Sequence, residues 1–303
     1  MCSSDLVIEN AENLRNIKLR ESVNRFADQA RLSRQLAVID TAIDLDFRLE
    51  DAARKDPDTE ILTRLFSEFE FSSLLQQIKT GAAKPRRDGV IVADDEALQS
   101  LVQKLEGRRE IALDFLWEKS GPALLIGLAV YADGRAFYVP LGHTAAKTQL
   151  SLSSVLSALA PALVSEGLCK TVFDLKTALV SLADADVRDA LDMQLAAYLH
   201  NPGRHSYDLH ELVWDYLHES LESPAEISGG KAKTYPLALV PVEKTASWAA
   251  SRVEAVFRLR PGVEEKLREA DATGLYRKGE MPLVVTLSAM EKKGGRVDVA
   301  LLK

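Results

Sequence analysis

The sequence predicts an α/β fold in which helices flank a mixed β-sheet. Residues 109–113, 123–131 and 136–141 are predicted to form three strands that are rich in apolar residues, and a predicted helix ending at Leu105 precedes them. Asp133-Gly134 lies between the second and third runs, and Asp-Gly flanked by apolar runs is a strong signal for a β-hairpin. Strands and helices intermix after this hairpin, so the sheet is expected to contain parallel as well as antiparallel pairs.

The rest of the second half is predicted to be helical, with one further strand at residues 169–173. A break is expected at Pro261, because proline lacks the backbone N–H and its ring clashes with the preceding turn. Residues 229–235, which begin with two glycines, are predicted to form a loop. The predicted helices cover residues 94–105, 150–163, 175–182, 192–199, 207–218, 245–259, 264–270 and 280–290.

The first quarter of the chain is predicted to be helical and offers packing but no chemistry. Apolar residues between positions 9 and 78 recur at the spacing of amphipathic helices. Residues 79–89 are small, polar and contain a proline, which makes them the best linker candidate. Lys84, Arg86 and Arg87 have the charge to contact a phosphate backbone, but a solvated linker explains them more simply.

Composition excludes some functional classes but identifies none. The 303 residues carry a net charge of −7, which argues against a generally basic protein that coats nucleic acid, although local DNA contact stays compatible with it. Cys2 and Cys169 are too few for a disulfide framework or a cysteine-based zinc site, so a reducing, cytoplasmic setting is expected. No apolar run approaches the roughly 20 residues that span a bilayer, so no membrane association is expected.

One predicted strand leads into a residue of catalytic character. The apolar run around Ile111 and Leu113 reaches Asp114 and then gives way to polar residues. Catalytic groups in α/β sheets tend to lie just beyond the carboxyl ends of strands, so Asp114 is a candidate metal ligand. The simpler interpretation is a strand whose first exposed residue happens to be acidic. A metal site would require other carboxylates beside Asp114.

The sequence lacks other motifs of common active sites. His200, His205 and His210 lie five residues apart, which does not place them on one helix face, and residues 201–203 (Asn-Pro-Gly) break the helix between them. A zinc site is therefore a weak hypothesis against solvent-exposed histidines. The two glycines at 229–230 lack the strand-to-helix context of a phosphate loop, and no serine lies in a nucleophile elbow.

Five long stretches carry the pattern of a known family. They are residues 32–41 (LSRQLAVIDT), 65–75 (LFSEFEFSSLL), 136–143 (AFYVPLGH), 192–202 (DMQLAAYLHNP) and 280–291 (EMPLVVTLSAME). In this order, and over nearly the full length of the chain, they resemble bacterial DNA polymerase I. Several ordered matches are far more specific than any single motif.

The resemblance implies a ribonuclease-H-like mixed sheet flanked by helices, set between two partial domains. Residues 1–78 would be the helical end of a 5′-nuclease domain, 79–92 a linker, 93–258 a 3′–5′ exonuclease-like domain, and 259–303 the truncated start of the polymerase thumb. Residues 1–6 resemble translated adaptor sequence, with a frayed terminus as the alternative, so we expect the natural chain to begin upstream. The acids of the 5′ nuclease would precede Met1, and the polymerase palm would follow Lys303.

The family's exonuclease chemistry uses two divalent metal ions held by carboxylates from three motifs. In the first motif, Asp-X-Glu, Asp114 holds the aspartate position but Leu116 holds the glutamate position. In the second, Asn-X-Lys-X-Asp, Ala178 stands where the aspartate belongs. In the third, Tyr-X-X-X-Asp, Trp248 and Arg252 replace both residues. The resemblance therefore implies a dismantled site in which Asp114 alone survives, and in which Arg252 would repel a metal ion or pair with Asp114.

Three functions follow from the resemblance. The first is a segment of a DNA polymerase I of replication and repair whose exonuclease-like domain is catalytically inactive and structural. The second is an active exonuclease with rearranged ligands, in which Glu118, Asp174 or Asp192 would replace the lost carboxylates. The third is a non-catalytic DNA-binding module. No cofactor or metal is expected in this chain; Mg²⁺ and a DNA primer–template are expected for the whole polymerase, which is expected to be a monomer.

Overall fold

The computed structural model describes residues 3–43, 46, 48–54, 56–69, 71, 74, 78, 87–118, 124–144, 146–182, 186–204, 206–229 and 235–295. Contacts divide the chain into two compact units, Met1–Asp58 and Thr59–Lys303. The predicted domain boundaries at 78/79 and 92/93 stay predictions.

The first unit is helical. Its elements are α1 (Ser3–Glu9), α2 (Ile17–Arg25) and α3 (Ala27–Ala37), with short 3₁₀ turns at Ala11–Asn13 and Leu49–Ala52. The Asn16 side chain accepts a hydrogen bond from the Leu19 backbone N–H at 3.2 Å, which satisfies one free donor at the start of α2. These helices agree with the helical pattern of the sequence in this region.

The second unit is built on a six-stranded mixed sheet with the strand order β1-β4-β3-β2-β5-β6. β2 pairs antiparallel with β3, and β3 with β4, whereas the β1–β4, β2–β5 and β5–β6 pairs are parallel. The strands are β1 (Gly89–Ile91), β2 (Glu110–Glu118), β3 (Leu124–Ala132), β4 (Arg135–Pro140), β5 (Cys169–Val172) and β6 (Ala190–Asp192). The predicted mixed α/β sheet is confirmed.

The β3–β4 turn forms at the predicted Asp-Gly pair. Asp133 and Gly134 have φ angles of 55° and 72°, and a two-residue type I′ turn requires positive φ at both positions. Asp133 tolerates this conformation because its short polar side chain suits the left-handed region, and Gly134 has no side chain to clash. Ala132 and Arg135 pair directly across the turn.

Three strand predictions need correction. β2 extends to Glu118, so Asp114 lies inside the strand rather than beyond its end, because β3 continues to pair with β2 over this stretch. β1 falls inside the predicted 79–92 linker, yet Gly89–Ile91 pair with β4. The sequence pattern does not predict β6. Both β1 and β6 are three residues long, which is too short to display the alternation of a strand.

The helices of the second unit are α4 (Thr59–Glu68), α5 (Asp95–Leu105), α6 (Leu152–Val164), α7 (Leu175–Ser181), α8 (Met193–His200), α9 (Leu209–Leu217), α10 (Pro224–Ile227), α11 (Val242–Glu269), α12 (Thr273–Leu275) and α13 (Met281–Lys293). Helices cover both faces of the sheet: α8, α9 and α11 share one core with Ala112 and Leu116 of β2, whereas α5, α6 and α7 share a second core with Leu113 and Phe115. A 3₁₀ turn covers Leu237–Leu239, and a π-helical turn covers Tyr276–Glu280.

The predicted break at Pro261 is wrong, because α11 is one helix of 28 residues that continues past Pro261 to Glu269. Val256 and Leu259 before the proline, and Val263 and Leu267 after it, are all buried in the same core. This packing holds both halves of the helix in line and offsets the backbone hydrogen bond that the proline removes. The predicted 258/259 boundary therefore falls inside a continuous helix. No helix in the described part of the chain is both long and apolar enough to cross a membrane.

Candidate active site

Asp114 faces α11 because side chains alternate along β2. Ala112 and Leu116 belong to the core beneath α11, whereas Leu113 and Phe115 belong to the core on the opposite face. The β2–β5 pairing ends at Leu113, so Asp114 lies just past the last residue that pairs with β5. Its side chain is 1% exposed. An ionised carboxylate at such a depth is costly unless a charged or hydrogen-bonding partner compensates it.

Arg252 of α11 is that partner. Its Nε lies 2.7 Å from Asp114 Oδ2 and its Nη2 lies 3.2 Å from Oδ1, so the guanidinium contacts both carboxylate oxygens. The Arg252 side chain is 16% exposed. Two parallel N–H···O bonds of this kind are the geometry in which arginine binds a carboxylate most strongly. The sequence left open whether Arg252 repels a metal ion or pairs with Asp114, and the structure shows the pair.

Trp248 lies one helical turn before Arg252 and contacts it directly. The guanidinium carbon of Arg252 is 4.8 Å from the centroid of the Trp248 ring, within cation–π distance. The indole Nε1–H donates to the Glu222 carbonyl oxygen at 2.6 Å, which connects α11 to the segment before α10. The four-residue spacing predicts that the two side chains are neighbours on the helix. No sequence signal indicates the bond to Glu222.

Leu116 and Ala178 lie in different layers of the fold. Leu116 is 2% exposed and packs in the core shared with α11, on the same face of β2 as Asp114. Ala178 of α7 is fully buried in the core on the other face of the sheet. The structure thus brings together Asp114, Leu116, Trp248 and Arg252. The role of Ala178 as a lost metal-ligand position stays a prediction of the resemblance.

The three carboxylates considered as substitute ligands have other partners. Glu118 Oε2 accepts a hydrogen bond from the Leu237 backbone N–H at 2.5 Å. Asp174 has a φ of 57° and caps α7 by accepting from the Thr177 backbone N–H at 3.2 Å. Glu118 therefore holds the backbone of a segment 119 residues further along the chain, whereas Asp174 holds the start of its own helix.

Asp192, the third of these carboxylates, caps two helices at once. Its oxygens accept from the backbone N–H groups of Asp174, Leu175, Gln194 and Leu195 at 2.8–3.3 Å, at the starts of α7 and α8. Burial raises the pKa of the Asp192 carboxyl to about 6, while the hydrogen bonds from Leu175, Leu195 and Gln194 act in the opposite direction. Its oxygens are thus committed to backbone donors.

A buried network around His143 was not predicted. Its Nδ1 lies 3.0 Å from the Val240 carbonyl oxygen, which can only accept, so Nδ1 carries the proton. Its Nε2 then accepts from the Tyr138 hydroxyl at 2.7 Å. Burial lowers the pKa of His143, while the bond to Val240 and the nearby Glu243 act in the opposite direction. The network connects β4 to the segment that leads into α11.

The phosphate contact considered as an alternative for Arg87 has a competing partner in the structure. Its backbone N–H donates to Ser251 Oγ at 3.2 Å, and its Nε lies 3.1 Å from Glu254 Oε2. Arg87 is thereby attached to α11. Lys84 and Arg86 lie outside the described residues.

A cleft of about 450 Å³ is lined by residues of α7, α8 and α13, and neither Asp114 nor Arg252 lines it. It is therefore separate from the candidate site. Its polar lining includes Asp192, whose oxygens bond to backbone N–H groups, and Lys176, which lies 2.7 Å from Glu291.

The residues around Asp114 do not fit a magnesium site. Mg²⁺ requires several oxygen ligands in near-octahedral geometry, whereas Leu116 offers none and Arg252 carries a positive charge. Both oxygens of Asp114 already contact Arg252. Among the residues that the structure describes, no three His, Cys, Asp or Glu side chains are grouped closely enough to hold a metal ion. His205 lies outside those residues, and His200 and His210 belong to separate helices, α8 and α9.

Sequence comparison places most of this chain in one family. The family described as 3′–5′ exonuclease matches residues 90–268, which is more than half of the 303 residues. DNA polymerase I of Pseudomonas aeruginosa is 29% identical over 298 residues, which cover 91% of this chain. The same alignment covers 33% of the Pseudomonas protein, so the chain spans about one-third of the length of this relative.

Solved structures support the ribonuclease-H-like fold. The POL domain of Pol1 from M. smegmatis, in complex with DNA primer-template and dNTP, aligns with 70% of this chain and 33% of its own, at 23% identity and a TM-score of 0.54. Escherichia coli RNase D, an exoribonuclease involved in structured RNA processing, aligns with 67% of this chain and 51% of its own, at 14% identity and a TM-score of 0.55. At these identities the likeness shows the fold alone.

Proposed function

The chain belongs to the 3′–5′ exonuclease family, and from this membership we propose that it is a segment of a DNA-directed DNA polymerase I acting in DNA replication and repair. The similarity to polymerase I sequences over most of the chain supports this proposal. The polymerase reaction, its catalytic Mg²⁺ and its DNA primer–template would belong to parts of the whole protein beyond the described residues. The whole protein would act as a cytoplasmic monomer.

The exonuclease-like domain is, in this proposal, catalytically inactive and structural. The observation that carries the proposal is the ion pair between Asp114 and Arg252, which occupies both oxygens of the one retained carboxylate. Phosphodiester hydrolysis in this family depends on metal ions that stabilise the attacking water and the leaving 3′ oxygen. A guanidinium cannot lower the pKa of a bound water as a divalent metal does.

We expect the exonuclease activity to be lost completely rather than reduced. Residues that hold a catalytic metal act as a unit, so removing several of them costs nearly as much as removing all. Leu116 and Arg252 each replace a carboxylate of the resembling motifs, and the possible substitutes Glu118, Asp174 and Asp192 are bonded to backbone N–H groups. The domain would then serve as a packing platform within the polymerase.

A nuclease assay tests this proposal directly. The purified 303-residue chain is incubated with a single-stranded oligonucleotide labelled at its 3′ end, in a series of Mg²⁺ or Mn²⁺ concentrations and in EDTA. We expect no release of labelled mononucleotide above the EDTA control. Metal-dependent release that disappears in Asp114→Asn would contradict the proposal and support an active exonuclease with rearranged ligands. The Asn side chain is close in shape to Asp, and a thermal unfolding curve of the variant shows whether it is still folded at the assay temperature, since the substitution also leaves Arg252 without its charged partner.

A gel shift with a primer–template duplex separates the structural role from a DNA-binding module. The net charge of −7 favours weak binding by this chain alone. We therefore expect no shifted band at micromolar chain and physiological salt. A shift that weakens as salt rises would instead support the DNA-binding module.

A further inference from the structure

The buried negative charge of Asp114 must be compensated, and the proposed loss of catalysis does not explain what compensates it. Its carboxylate is 1% exposed and lies on the core face of β2, between Ala112 and Leu116. A metal-binding protein meets this requirement with a divalent cation. In this chain the carboxylate is retained although the neighbouring residues do not fit a metal. Some other cation must therefore compensate the buried charge.

We propose that Arg252 is the resident cation of this site and takes the electrostatic place of a divalent metal, holding β2 to α11 and excluding metal ions from Asp114. This inference rests on the proposed function, because it takes the domain to be non-catalytic. It adds a specific role for Arg252 and explains why the buried Asp114 is tolerated.

The geometry supports a permanent rather than an exchangeable cation. The guanidinium of Arg252 contacts both Asp114 oxygens, at 2.7 and 3.2 Å. It therefore occupies the side of the carboxylate that faces α11. The guanidinium carbon of Arg252 also lies 4.8 Å from the centroid of the Trp248 ring. Trp248 is in turn held by its hydrogen bond to the Glu222 carbonyl. An arginine side chain fixed by its own helix cannot diffuse away as a metal ion does.

The position of the pair gives it a mechanical role as well. Asp114 belongs to a central strand of the sheet, and Arg252 belongs to the long helix that covers that strand. The two residues are 138 positions apart in the sequence. A bond between them joins the sheet layer to the helix layer at a point where a metal ion would otherwise bridge carboxylates. Arg252 is thus a positioning residue for α11.

The first experiment uses the unmodified 303-residue chain. Its melting temperature is measured with MgCl₂ or MnCl₂ from zero to 10 mM, at constant ionic strength maintained with NaCl, because screening alone changes surface electrostatics. Binding of Mn²⁺ is followed in parallel by electron paramagnetic resonance. We expect the melting temperature to be independent of either metal and the Mn²⁺ to remain free. A metal-dependent rise that Asp114→Asn abolishes would overturn the proposal, whatever the variants below show.

The second experiment replaces the cation. Arg252→Asp should lower the melting temperature by roughly 6–20 °C, the cost of leaving a buried carboxylate without its partner. Part of this loss should return on addition of Mn²⁺ or Mg²⁺, because two facing carboxylates now require a cation and a divalent ion can supply it. A purely packing role for Arg252 would not make stability depend on metal. An Arg252→Asp chain with unchanged stability would overturn the proposal.

A matched control lies on the same helix. Arg268 also forms an ion pair with a carboxylate, Glu265, at 2.6 Å, but its side chain is 67% exposed. Arg268→Asp makes the same chemical change in solvent, so we expect little loss of stability and no dependence on metal. If Arg268→Asp responds to metal as strongly as Arg252→Asp, the effect is not specific to the buried site and the proposal fails.

A charge-neutral pair completes the test. Arg252→Met alone should be destabilised, whereas Asp114→Asn combined with Arg252→Met removes both charges and should recover most of the loss. Additive effects of the two substitutions would contradict the proposed compensation. Metal-dependent nucleotide release that Asp114→Asn abolishes would overturn both proposals. Metal-dependent stabilisation without nucleotide release would overturn the role of Arg252 alone and leave the proposed function intact.

Discussion

The hydroxyl of Tyr138 donates a 2.7 Å hydrogen bond to the imidazole of His143 inside the core, and this bond completes a connection between β4 and the start of α11. The other imidazole nitrogen donates to the Val240 carbonyl, two residues before the helix begins. α11 carries Arg252, which contacts the sheet at Asp114. The helix is therefore held to the sheet near its start as well as in its middle.

The His143 network predicts a specific dependence of stability on pH. Burial lowers the pKa of His143 in the folded chain below the 6.5 of a free histidine. As the pH falls below about 6.5, His143 of the unfolded chain binds a proton before His143 of the folded chain does, so the contribution of His143 to the free energy of unfolding decreases. This decrease stops below the folded pKa. His143→Gln does not titrate and should lose this part of the dependence, measured by urea unfolding between pH 5 and pH 8.

His210→Gln is the control for this measurement. The His210 side chain is 46% exposed and lies outside the His143 network, so the change in pH dependence caused by His143→Gln should exceed any change caused by His210→Gln. Parallel curves for wild type and His143→Gln would show that the neutral imidazole is not preferred in the folded state.

Gly127 is required by the ring of Tyr138. A Cβ at this position would lie 2.3 Å from the Tyr138 hydroxyl and 2.5 Å from ring atoms, so Gly127→Ala must displace the ring and disturb its bond to His143. We expect a loss of about 1–3 kcal/mol in the free energy of unfolding, the usual cost of overpacking a core. Gly167→Ala is the control, because a Cβ there meets no atom within 4 Å. Equal stability of the two variants would refute the steric requirement.

Trp248 contributes to stability through two interactions that mutations can separate, its hydrogen bond to Glu222 and its contact with Arg252. Trp248→Phe keeps an aromatic ring beside Arg252 but removes the hydrogen bond to Glu222, which should cost about 0.5–1.5 kcal/mol of stability. Trp248→Leu also removes the ring face beneath the guanidinium, which should add roughly 0.5–2 kcal/mol. Thermal or urea unfolding of both variants measures the difference. If the leucine variant is as stable as the phenylalanine variant, the contact with Arg252 contributes nothing.

Pro261 lies inside α11 and removes one backbone hydrogen bond of the helix. Pro261→Ala restores a donor and relieves the ring clash, so we expect the free energy of unfolding to rise by about 1–3 kcal/mol. Pro224 lies in the first turn of α10, where the backbone N–H has no partner within the helix. Pro224→Ala should therefore change stability by less than about 0.5 kcal/mol. A lower stability of Pro261→Ala would indicate that the core is shaped around the proline.

Local pattern was sufficient for the larger elements. The Asp133-Gly134 hairpin follows from the conformational preference of two residues, and the mixed sheet follows from apolar runs between helices. The five ordered stretches that resemble DNA polymerase I are confirmed by similarity over 91% of the chain. These features were predictable because each depends on neighbours in sequence or on a long ordered match.

The shorter elements were not predictable for the same reason. β1 and β6 have three residues each, and their pairing partners β4 and β5 rather than their own sequence make them strands. The continuity of α11 past Pro261 depends on packing against Val263 and Leu267. The assignment of Ala178 to the opposite core depends on which face of the sheet α7 covers. All of these are decided by contacts between distant parts of the chain.

The sequence by itself determined the family and the fold class, and from the resemblance it predicted which residues stand in place of the acidic side chains expected beside Asp114. It also identified Arg252 as a possible partner of that carboxylate. The tertiary structure decided that the two residues form a buried pair, because only the docking of α11 on β2 brings positions 138 residues apart to 2.7 Å. It likewise decided that the Asp192 carboxylate accepts hydrogen bonds from the backbone N–H groups at the starts of two helices. The sequence determines which charged side chains are present, whereas tertiary packing determines which of them form ion pairs.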